Sequence, residues 1–340
     1  MVHFALIQLT KKHTEIFGIF LEIILNNQWD ITIYYNVNAD EYSFVPYYIN
    51  LFEKNIKIKA TKYLIEDKDL FDYFIWTSSS DDNYIHECFK TDKYANKSIY
   101  IQHQSVHCKE YMYKNIVVSP VIQLDHLKAQ KSYLLPIYKN YKQMHYSPTA
   151  NQPIIFGIVG AIRGLNNGKT LDRDLGIIKR TIEKFPNENY EFHFFMRKWD
   201  WIWICNKNSF LTQLPKIKSF SGLKTPELIE KLRGVKYILP IAKKNGWFYW
   251  QRLTGSIPLA INLNIPLIID RQLAKIYGME EYSILYKDNL TEIFQNVMNM
   301  DDSTYQEYIL KNVKYKKNIC KQNEENFRNI CLCHTQSGET

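Results

Sequence analysis

The residues best suited to chemistry lie in residues 250–278, WQRLTGSIPLAINLNIPLIIDRQLAKIYG. This pattern predicts a tight turn at Thr254, Gly255 and Ser256, a short apolar helix, a buried strand that begins at Pro266, and a second helix. A turn that opens a helix presents backbone N–H groups and the positive end of the helix dipole, which together suit a phosphate. The strand is apolar throughout, as is typical of a parallel strand covered on both faces. The segment therefore predicts an anion site in an α/β domain.

A second loop with glycines and basic residues follows an apolar strand, in the stretch GIVGAIRGLNNGKTLDRDL. Gly168, Lys169 and Thr170 match the end of a P-loop, but Arg163 stands where its first glycine is required. The mismatch argues against a P-loop. It favours a flexible basic loop in which Gly160, Arg163 and Lys169 meet a diphosphate. A surface turn without a ligand is the alternative interpretation.

Asp172 and Asp174 form a DxD pattern, in which two carboxylates can hold a divalent cation that bridges a diphosphate. Such a pair would be expected directly after a strand. Here the pattern falls in the first turn of a predicted helix, where acidic side chains interact favourably with the helix dipole. We therefore interpret the two aspartates as part of the helix start, and we expect no metal site.

Two histidines are candidates for a catalytic base. His13 lies in the loop between the first predicted strand and the first predicted helix, and His103 lies at the end of the fifth predicted strand. An imidazole at the carboxyl edge of a parallel sheet can remove the proton of a hydroxyl nucleophile. The structural alternatives are a surface histidine beside a helix cap for His13 and a half-buried, hydrogen-bonded histidine for His103.

Further candidates stand directly after other predicted strands. Ser221 and Gly222 end one strand, Thr225 is placed to cap the helix that follows, and Arg197 closes the preceding strand. Ligands of doubly wound sheets bind at the carboxyl ends of the strands. These residues could therefore contact a nucleotide, while a purely structural role at a strand end or helix start is the alternative.

Alternating strands and helices position these residues. In the first half, strands are predicted at residues 3–9, 30–35, 56–60, 72–79, 98–105 and 115–120. In the second half, strands are predicted at 153–160, 190–197, 217–222, 235–241 and 267–269, and helices at 171–185 and from Thr225. Alternation of this kind predicts parallel sheets covered by helices on both faces.

A polar, proline-containing stretch at residues 139–153 interrupts the alternation and predicts a domain boundary. The expected architecture is α/β, with two Rossmann-like, doubly wound domains that face a cleft. We assign residues 1–145 to the first domain, 151–305 to the second, and 306–340 to a C-terminal helix and tail. The helix is expected to pack back across both domains.

The bulk composition excludes several classes of protein. A net charge of +8 in 340 residues favours anionic ligands, and association with an acidic membrane surface stays open. The charge is not concentrated in a basic block or a nucleic-acid motif, so we expect no nucleic-acid partner. The six cysteines form no CxxC pair, and no signal peptide is recognisable, which together favour a cytoplasmic protein. The sequence leaves the oligomeric state open.

The C-terminal half resembles the nucleotide-sugar domain of GT-B-fold glycosyltransferases. Three stretches carry the resemblance, namely FGIVGAIR before the basic loop, FSGLKTPELIEKLRGVKYILPI, and TGSIPLAINLNIPLIID. The N-terminal half matches by its pattern of elements only, as expected of an acceptor-side domain. The resemblance implies an enzyme that moves a sugar from a nucleoside-diphosphate sugar to a glycan or another hydroxyl acceptor.

The resemblance also implies roles for particular residues. Gly160 and Arg163 would face the diphosphate, and His13 would be the base, since inverting members often take it from this loop. The nucleoside and the phosphate cradle would involve Ser221, Gly222, Thr225, Thr254, Gly255, Ser256 and Ile257. The nucleotide sugar is a substrate, so no separate cofactor is expected.

One departure from the family pattern bears on the mechanism. Many retaining members carry an E-x7-E pattern near the cradle, but no glutamate occurs here between Glu230 and Glu280. This absence favours an inverting, metal-independent reaction. Three alternatives stay open, namely a GT-B relative that binds a glycan or nucleotide without catalysis, a sugar-nucleotide epimerase, and a P-loop kinase.

Overall fold

The computed structural model describes two compact units. The described residues are 1–9, 16–36, 44–52, 56–77, 85, 87–103, 112, 114–120, 122, 130–139, 152–165, 170–244 and 254–332. Unit 1 comprises Met1–Asn140 together with Asn318–Thr340, and unit 2 comprises Tyr141–Lys317. The long C-terminal helix therefore contributes its first half to unit 2 and its second half to unit 1.

Parallel strands form the sheet of unit 1. Its strands are β1 (His3–Gln8), β2 (Asp30–Tyr35), β3 (Lys57–Lys59), β4 (Tyr73–Trp76), β5 (Ser98–Gln102), β6 (Lys114–Val117) and β7 (Gln130–Tyr133). Among the described residues, these seven strands pair in the order β3-β2-β1-β4-β5-β6-β7, every pair parallel. The first six were predicted from the sequence. The edge strand β7 was not, because its sequence QKSY carries no apolar run.

Helices cover both faces of this sheet. Those described are α1 (Phe17–Asn26), α2 (Phe44–Phe52), α3 (Leu64–Asp67) and α4 (Asp92–Ala95), with 3-10 turns at Thr61–Tyr63 and Lys68–Leu70. One face packs around Trp76 and Phe74, which are fully buried. On the other face, the Phe327 ring of the C-terminal helix lies 5.8 Å from the Phe4 ring and 5.7 Å from the Phe20 ring. These contacts tie the end of the chain to its first strand.

Unit 2 is also built on parallel strands. Its strands are β8 (Ile154–Val159), β9 (Gly164–Leu165), β10 (Thr170–Leu171), β11 (Tyr190–Met196), β12 (Ile217–Ser221), β13 (Tyr237–Ile238), β14 (Ile268–Asp270) and β15 (Ile284–Tyr286). The described strands form one sheet in the order β12-β11-β8-β13 and a second, parallel pair β14-β15. A parallel bridge between Ile238 and Leu267 joins the two sheets. Leaving aside the short β9-β10 hairpin, the strands therefore follow the Rossmann order 3-2-1-4-5-6.

The helices of unit 2 refine the sequence predictions. They are α5 (Leu175–Lys184), α6 (Lys198–Lys207), α7 (Phe210–Gln213), α8 (Thr225–Leu232), α9 (Ser256–Asn262), α10 (Arg271–Ile276), α11 (Phe294–Met298) and α12 (Asp302–Leu332), with a 3-10 turn at Leu290–Glu292. The prediction that α5 begins at Leu171 was wrong by four residues, because Thr170 and Leu171 pair with β9 instead. The start of α8 was also misplaced by one position, since Thr225 is already helical and Lys224 precedes it.

Both units share one topological feature that positions a site. In unit 1 the strand order reverses between β1 and β4, and in unit 2 it reverses between β8 and β13. At such a switch point the connections leave in opposite directions, which opens a crevice at the carboxyl ends of the two strands. The predicted α/β class with Rossmann-like units is confirmed.

Candidate functional site

The switch point of unit 2 is formed by the residues that follow β8 and β13. Gly160 follows β8 with a φ of +97°, and Ile241 follows β13 with a φ of +41°. A positive φ suits glycine, but for a β-branched residue such as isoleucine it is a strained conformation. Strain of this kind persists only where the surrounding structure enforces it, and it concentrates at functional sites.

Arg163 stands at the mouth of this switch point with an exposed side chain. Its backbone N–H donates to Asp172 Oδ1 at 2.9 Å, and its carbonyl oxygen accepts from the Asp172 N–H at 2.9 Å. These bonds close the base of the β9-β10 hairpin. The backbone of Arg163 is therefore fixed within the protein, and it is the guanidinium rather than the backbone N–H that could meet a diphosphate.

The two aspartates of the DxD pattern bond to the protein backbone, and the predicted place at a helix start holds for Asp174 but not for Asp172, which precedes the helix beside the β9-β10 hairpin. Asp174 caps α5, since its Oδ1 accepts from the Gly176 N–H at 3.0 Å, and Asp172 holds the Arg163 backbone. Asp172 is buried, with only 2% of its surface exposed. Among the described residues, no three histidine, cysteine, aspartate or glutamate side chains are grouped closely enough to hold a metal ion.

The Thr254-Gly255-Ser256 turn opens α9, as predicted. Thr254 Oγ1 and Ser256 Oγ lie 2.7 Å apart and are both buried, so the two hydroxyls bond to each other. The Ile257 N–H donates to the Thr254 carbonyl oxygen at 3.2 Å. Gly255 alone is exposed, and a Cβ added there would have no atom of the described residues within 4 Å. Any phosphate cradle here is thus limited to the backbone of Gly255 and Ser256.

Three further candidates lie at the carboxyl edge beside β11 and β12. Gly222 has a φ of +77°, and its N–H donates to the Met196 carbonyl oxygen at 3.0 Å, which joins the two strand ends. Ser221 beside it is half-buried. Arg197 makes a bidentate pair with Asp200, with Nε–Oδ2 at 2.8 Å and Nη2–Oδ1 at 3.1 Å. This pair reduces the capacity of Arg197 to bind a phosphate.

Thr225 is the candidate that the structure supports least for direct contact. Only 2% of its surface is exposed, and it forms the first residue of α8. A buried side chain at this position can shape the helix start, but it presents little surface to a ligand. Its assigned role near the nucleoside stays a prediction.

A charged cluster follows β13, β14 and β15 on the same edge of unit 2. Lys244 Nζ lies 2.7 Å from Asp288 Oδ1, 2.9 Å from the Lys287 carbonyl oxygen and 3.7 Å from Asp270 Oδ2. The hydrogen bond to Asp288 raises the pKa of Lys244 and lowers that of Asp288. The exposed lysine therefore links the ends of three strands.

The switch point of unit 1 carries a network of neutral polar side chains. The Thr77 hydroxyl donates to the Ile7 carbonyl oxygen at 2.9 Å and also contacts the Gln8 amide oxygen. His103 Nε2 lies 3.0 Å from the Thr77 carbonyl oxygen, which can only accept. This contact makes Nε2 the donor, so a base role for His103 would use Nδ1. Gln8 and Thr77 gave no signal in the sequence beyond their position at strand ends.

Two candidate residues, His13 and Lys169, lie outside the described residues. Within the part of the chain that the structure describes, no helix is both long and apolar enough to cross a bilayer.

The fold is shared with solved structures of glycosyltransferases. An alpha-glucosyltransferase in complex with UDP and a 13-mer DNA containing an HMU base aligns with a TM-score of 0.64 and 12% identity, over 97% of this chain and 99% of that chain. Alr3699/HepE of Anabaena, in complex with UDP and glucose, aligns with a TM-score of 0.61 and 9% identity, over 97% and 99%. AviGT4, a glycosyltransferase involved in avilamycin A biosynthesis, aligns with a TM-score of 0.60 and 8% identity, over 98% and 99%.

These likenesses establish the class of fold. No family model matches the sequence, and no curated protein matches it by sequence either. At 8–12% identity the structural comparisons show the fold alone. The chain has the GT-B glycosyltransferase fold, which confirms the resemblance seen in the sequence of its C-terminal half.

Proposed function

We propose that the protein is a glycosyltransferase that moves a sugar from a nucleoside-diphosphate sugar to a hydroxyl group of a glycan or other acceptor. The observation that carries the proposal is the switch point of unit 2, where Gly160 and the exposed Arg163 directly follow the first strand of a Rossmann-ordered sheet. Two proteins of the same fold were solved with UDP. A nucleoside diphosphate is the kind of ligand such a crevice binds.

Unit 2 would hold the donor. The Arg163 guanidinium and the backbone N–H groups of Gly255 and Ser256 would stabilise the negative charge that grows on the diphosphate as it leaves. Ser221 and Gly222 would lie beside the nucleoside. Because these groups supply positive charge without a metal ion, we propose a metal-independent reaction.

Unit 1 would supply the acceptor side and the base. In the proposed reaction the acceptor oxygen attacks the anomeric carbon while the bond from that carbon to the diphosphate oxygen breaks. His13 takes the proton of the acceptor hydroxyl, and the diphosphate leaves with the electron pair. A single displacement inverts the anomeric configuration, in keeping with the missing glutamate between Glu230 and Glu280.

A panel of nucleotides and nucleotide sugars tests the proposal. Thermal stabilisation by one nucleoside diphosphate, with its release from the matching nucleotide sugar on addition of an acceptor, would support it. Stabilisation without release would favour a binding protein, and isomerisation of the sugar without an acceptor would favour an epimerase. A preference for ATP with dependence on magnesium would favour a kinase.

A pair of variants at Gly255 locates the donor site. Gly255 has a φ of −60°, and no atom of the described residues lies within 4 Å of the position of a Cβ, so Gly255→Ala should fold and bind as the wild type does. Gly255→Glu places a carboxylate on the same backbone and should weaken nucleoside-diphosphate binding at least about tenfold, which corresponds to about 1.4 kcal/mol. Equal affinities in the two variants would remove this turn from the donor site.

A further inference from the structure

Arg173 joins the two strands that form the switch point of unit 2. Its Nη2 donates to the Val159 carbonyl oxygen at 3.1 Å, and its Nη1 donates to the Pro240 carbonyl oxygen. Val159 is the last residue of β8, and Pro240 follows β13. One guanidinium therefore bonds to the backbone on both sides of the crevice. A planar side chain with several fixed donors is suited to such a double contact.

The backbone around Arg173 reinforces the link. Arg173 forms an antiparallel bridge with Ala242, the Asp174 N–H donates to the Ile241 carbonyl oxygen at 2.8 Å, and the Lys243 N–H donates to the Asp172 carbonyl oxygen at 3.0 Å. These hydrogen bonds hold the residues that follow β13 in place on both sides of Ile241. They account for the persistence of its positive φ of +41°, which a β-branched residue does not adopt unaided.

Gly160 leaves room for the guanidinium. A Cβ added to Gly160 would lie 3.3 Å from Arg173 Nη2, closer than an ordinary van der Waals contact. A glycine is therefore required at this position to leave room for Arg173, whether or not a ligand also approaches the loop closely. Gly160, Arg173 and Ile241 together define the shape of the crevice.

The guanidinium is also a buried charge. Only 3% of Arg173 is exposed, and burial lowers its pKa to about 10, while Asp172 raises it and Arg163 lowers it. Arg173 therefore stays protonated at neutral pH. A cation below the surface of the crevice attracts an anion above it more strongly than an exposed one does, because water screens it less.

We propose that Arg173 is a positioning residue for the donor, which holds the ends of β8 and β13 at a fixed spacing and adds a buried positive charge beneath the diphosphate. This inference rests on the proposed function. The hydrogen bonds of Arg173 to Val159 and Pro240 are to the protein backbone, so its effect on the donor is exerted through the Gly160 loop and through the electric field. It would explain why the middle residue of the DxD pattern is a buried arginine.

Two substitutions separate the effect of the Arg173 charge from the effect of its two hydrogen bonds to the backbone. Arg173→Gln removes the charge, so binding of the nucleoside diphosphate should weaken at least about tenfold more than binding of the uncharged nucleoside. Arg173→Lys keeps the charge, but a lysine has a single side-chain nitrogen with which to donate to the two carbonyl oxygens. It should retain the preference for the diphosphate, with about threefold weaker binding of both ligands.

Lys236 provides the matched control. It is a buried cation of the same unit, but it lies at the amino-terminal end of β13, away from the switch point. Lys236→Met should lower the unfolding temperature while both affinities stay within about twofold of the wild type. The measurements are thermal unfolding of each variant and titration calorimetry with the nucleoside diphosphate that stabilises the wild type and with its nucleoside.

The outcomes distinguish the inference from the proposed function. If Arg173→Gln keeps the wild-type preference for the diphosphate, or loses affinity for both ligands equally, Arg173 is a structural residue only and the inference is wrong. If Arg173→Gln does not fold, Arg173→Lys decides, and unchanged affinities for both ligands would overturn the inference. A wild-type protein that binds no nucleotide would contradict the proposed function and this inference with it.

Discussion

The two units share a strand order, but their switch points differ in chemistry. In unit 1, the ends of β1 and β4 are joined by neutral groups, the Thr77 hydroxyl and the Gln8 amide, with His103 beside them. In unit 2, the ends of β8 and β13 are joined by the Arg173 guanidinium, with Arg163 exposed nearby. Among the described residues, the same backbone architecture therefore places neutral polar groups at the switch point of one unit and a buried cation at that of the other.

This difference bears on how two units with the same strand order can bind two different kinds of ligand. A cationic switch point favours a ligand with a growing negative charge, since fixed positive groups stabilise it where it develops. Neutral amides and hydroxyls instead suit a ligand with many hydroxyl groups, and an imidazole among them can accept a proton. The comparison agrees with the proposed donor site on unit 2 and the proposed acceptor site on unit 1. Four predictions test it, the largest expected effect first.

Removal of the proposed base should have the largest effect. His13→Ala should lower turnover about 100-fold, the usual scale for loss of a general base, while affinity for the nucleoside diphosphate stays unchanged. His103→Ala should show a similar loss only if His103 rather than His13 takes the proton. Steady-state kinetics with saturating donor measure both.

His3 is the matched control for the two histidines, because it lies at the opposite end of β1 and bonds to the Thr32 hydroxyl at 3.1 Å. His3→Ala should leave turnover within about twofold of the wild type. Normal turnover in the His13 variant would remove that residue as the base, and would weaken the assignment of unit 1 to the acceptor side.

A side chain at Gly160 should destabilise unit 2. Gly160→Val must adopt a φ of +97° and would place its Cβ 3.3 Å from the Arg173 guanidinium. We expect the free energy of unfolding to fall by about 2–3 kcal/mol, the scale of a strained backbone residue. Urea unfolding checks this, with Gly255→Ala as a control that should change it by less than about 0.5 kcal/mol. Equal stability of the two variants would show that the crevice does not depend on Gly160.

Loss of the exposed arginine should weaken donor binding. Arg163→Ala should reduce affinity for the nucleoside diphosphate about tenfold, or about 1.4 kcal/mol, because a charge-assisted contact is lost. Arg233→Ala is the control, since Arg233 is exposed in the same unit but follows α8 at the other edge of the sheet. A salt titration adds a second readout, in which the Arg163 variant should lose part of the salt dependence of binding. An identical loss in both variants would indicate a general effect of net charge.

The smallest effect concerns the stability of unit 2 in mild acid. Burial lowers the pKa of His193 below its ordinary value of 6.5, although the hydrogen bond that the ring donates to Glu191 opposes this. As the pH falls through 6.5, the unfolded chain binds a proton that the folded protein does not, so the free energy of unfolding decreases. Glu191 acts in a lower range: burial raises its pKa, but bonds to Lys218 and His193 outweigh this and hold it below 4.5, so its contribution is lost only in stronger acid.

Urea unfolding at about pH 7.5 and about pH 5.5 measures this effect, which should be smaller in His193→Phe than in the wild type. His193 lies on β11, among Glu191, Lys218 and the Phe220 ring, and not at the switch point. Nucleotide affinity at neutral pH should therefore be unchanged in this variant. A change in affinity would show that the side chains of β11 are coupled to the donor site.

Much of the fold could be predicted from the sequence. The apolar runs at β1, β2, β8 and β11 are long and buried, so their hydrophobic pattern alone identifies them. β7 escaped prediction because it is a polar edge strand, and β15 was also missed. The start of α5 was missed because the preceding residues pair in a hairpin, which no local pattern signals.

The candidate site was predictable to a lesser degree. The turn at Thr254 and the strand end at Gly160 follow from local sequence, since glycine and hydroxyl residues at such places have local causes. The hydrogen bond that occupies the Ile257 N–H and the Arg197–Asp200 pair could not be foreseen, because each depends on the geometry of its turn. Both interactions reduce the number of groups that are available to bind a phosphate.

The sequence by itself determined the alternation of strands and helices, the place of the turn that opens α9, and the resemblance to the GT-B fold. These features depend on residues close together in the chain, whose periodicity and turn chemistry are local properties. Only the tertiary structure decided that Arg173 spans a crevice. Its two partners, Val159 and Pro240, lie 14 and 67 positions away, and they meet only where the strand order reverses. Arg173 is the middle residue of a DxD pattern in the sequence, and in the folded chain it is a buried cation between two strands.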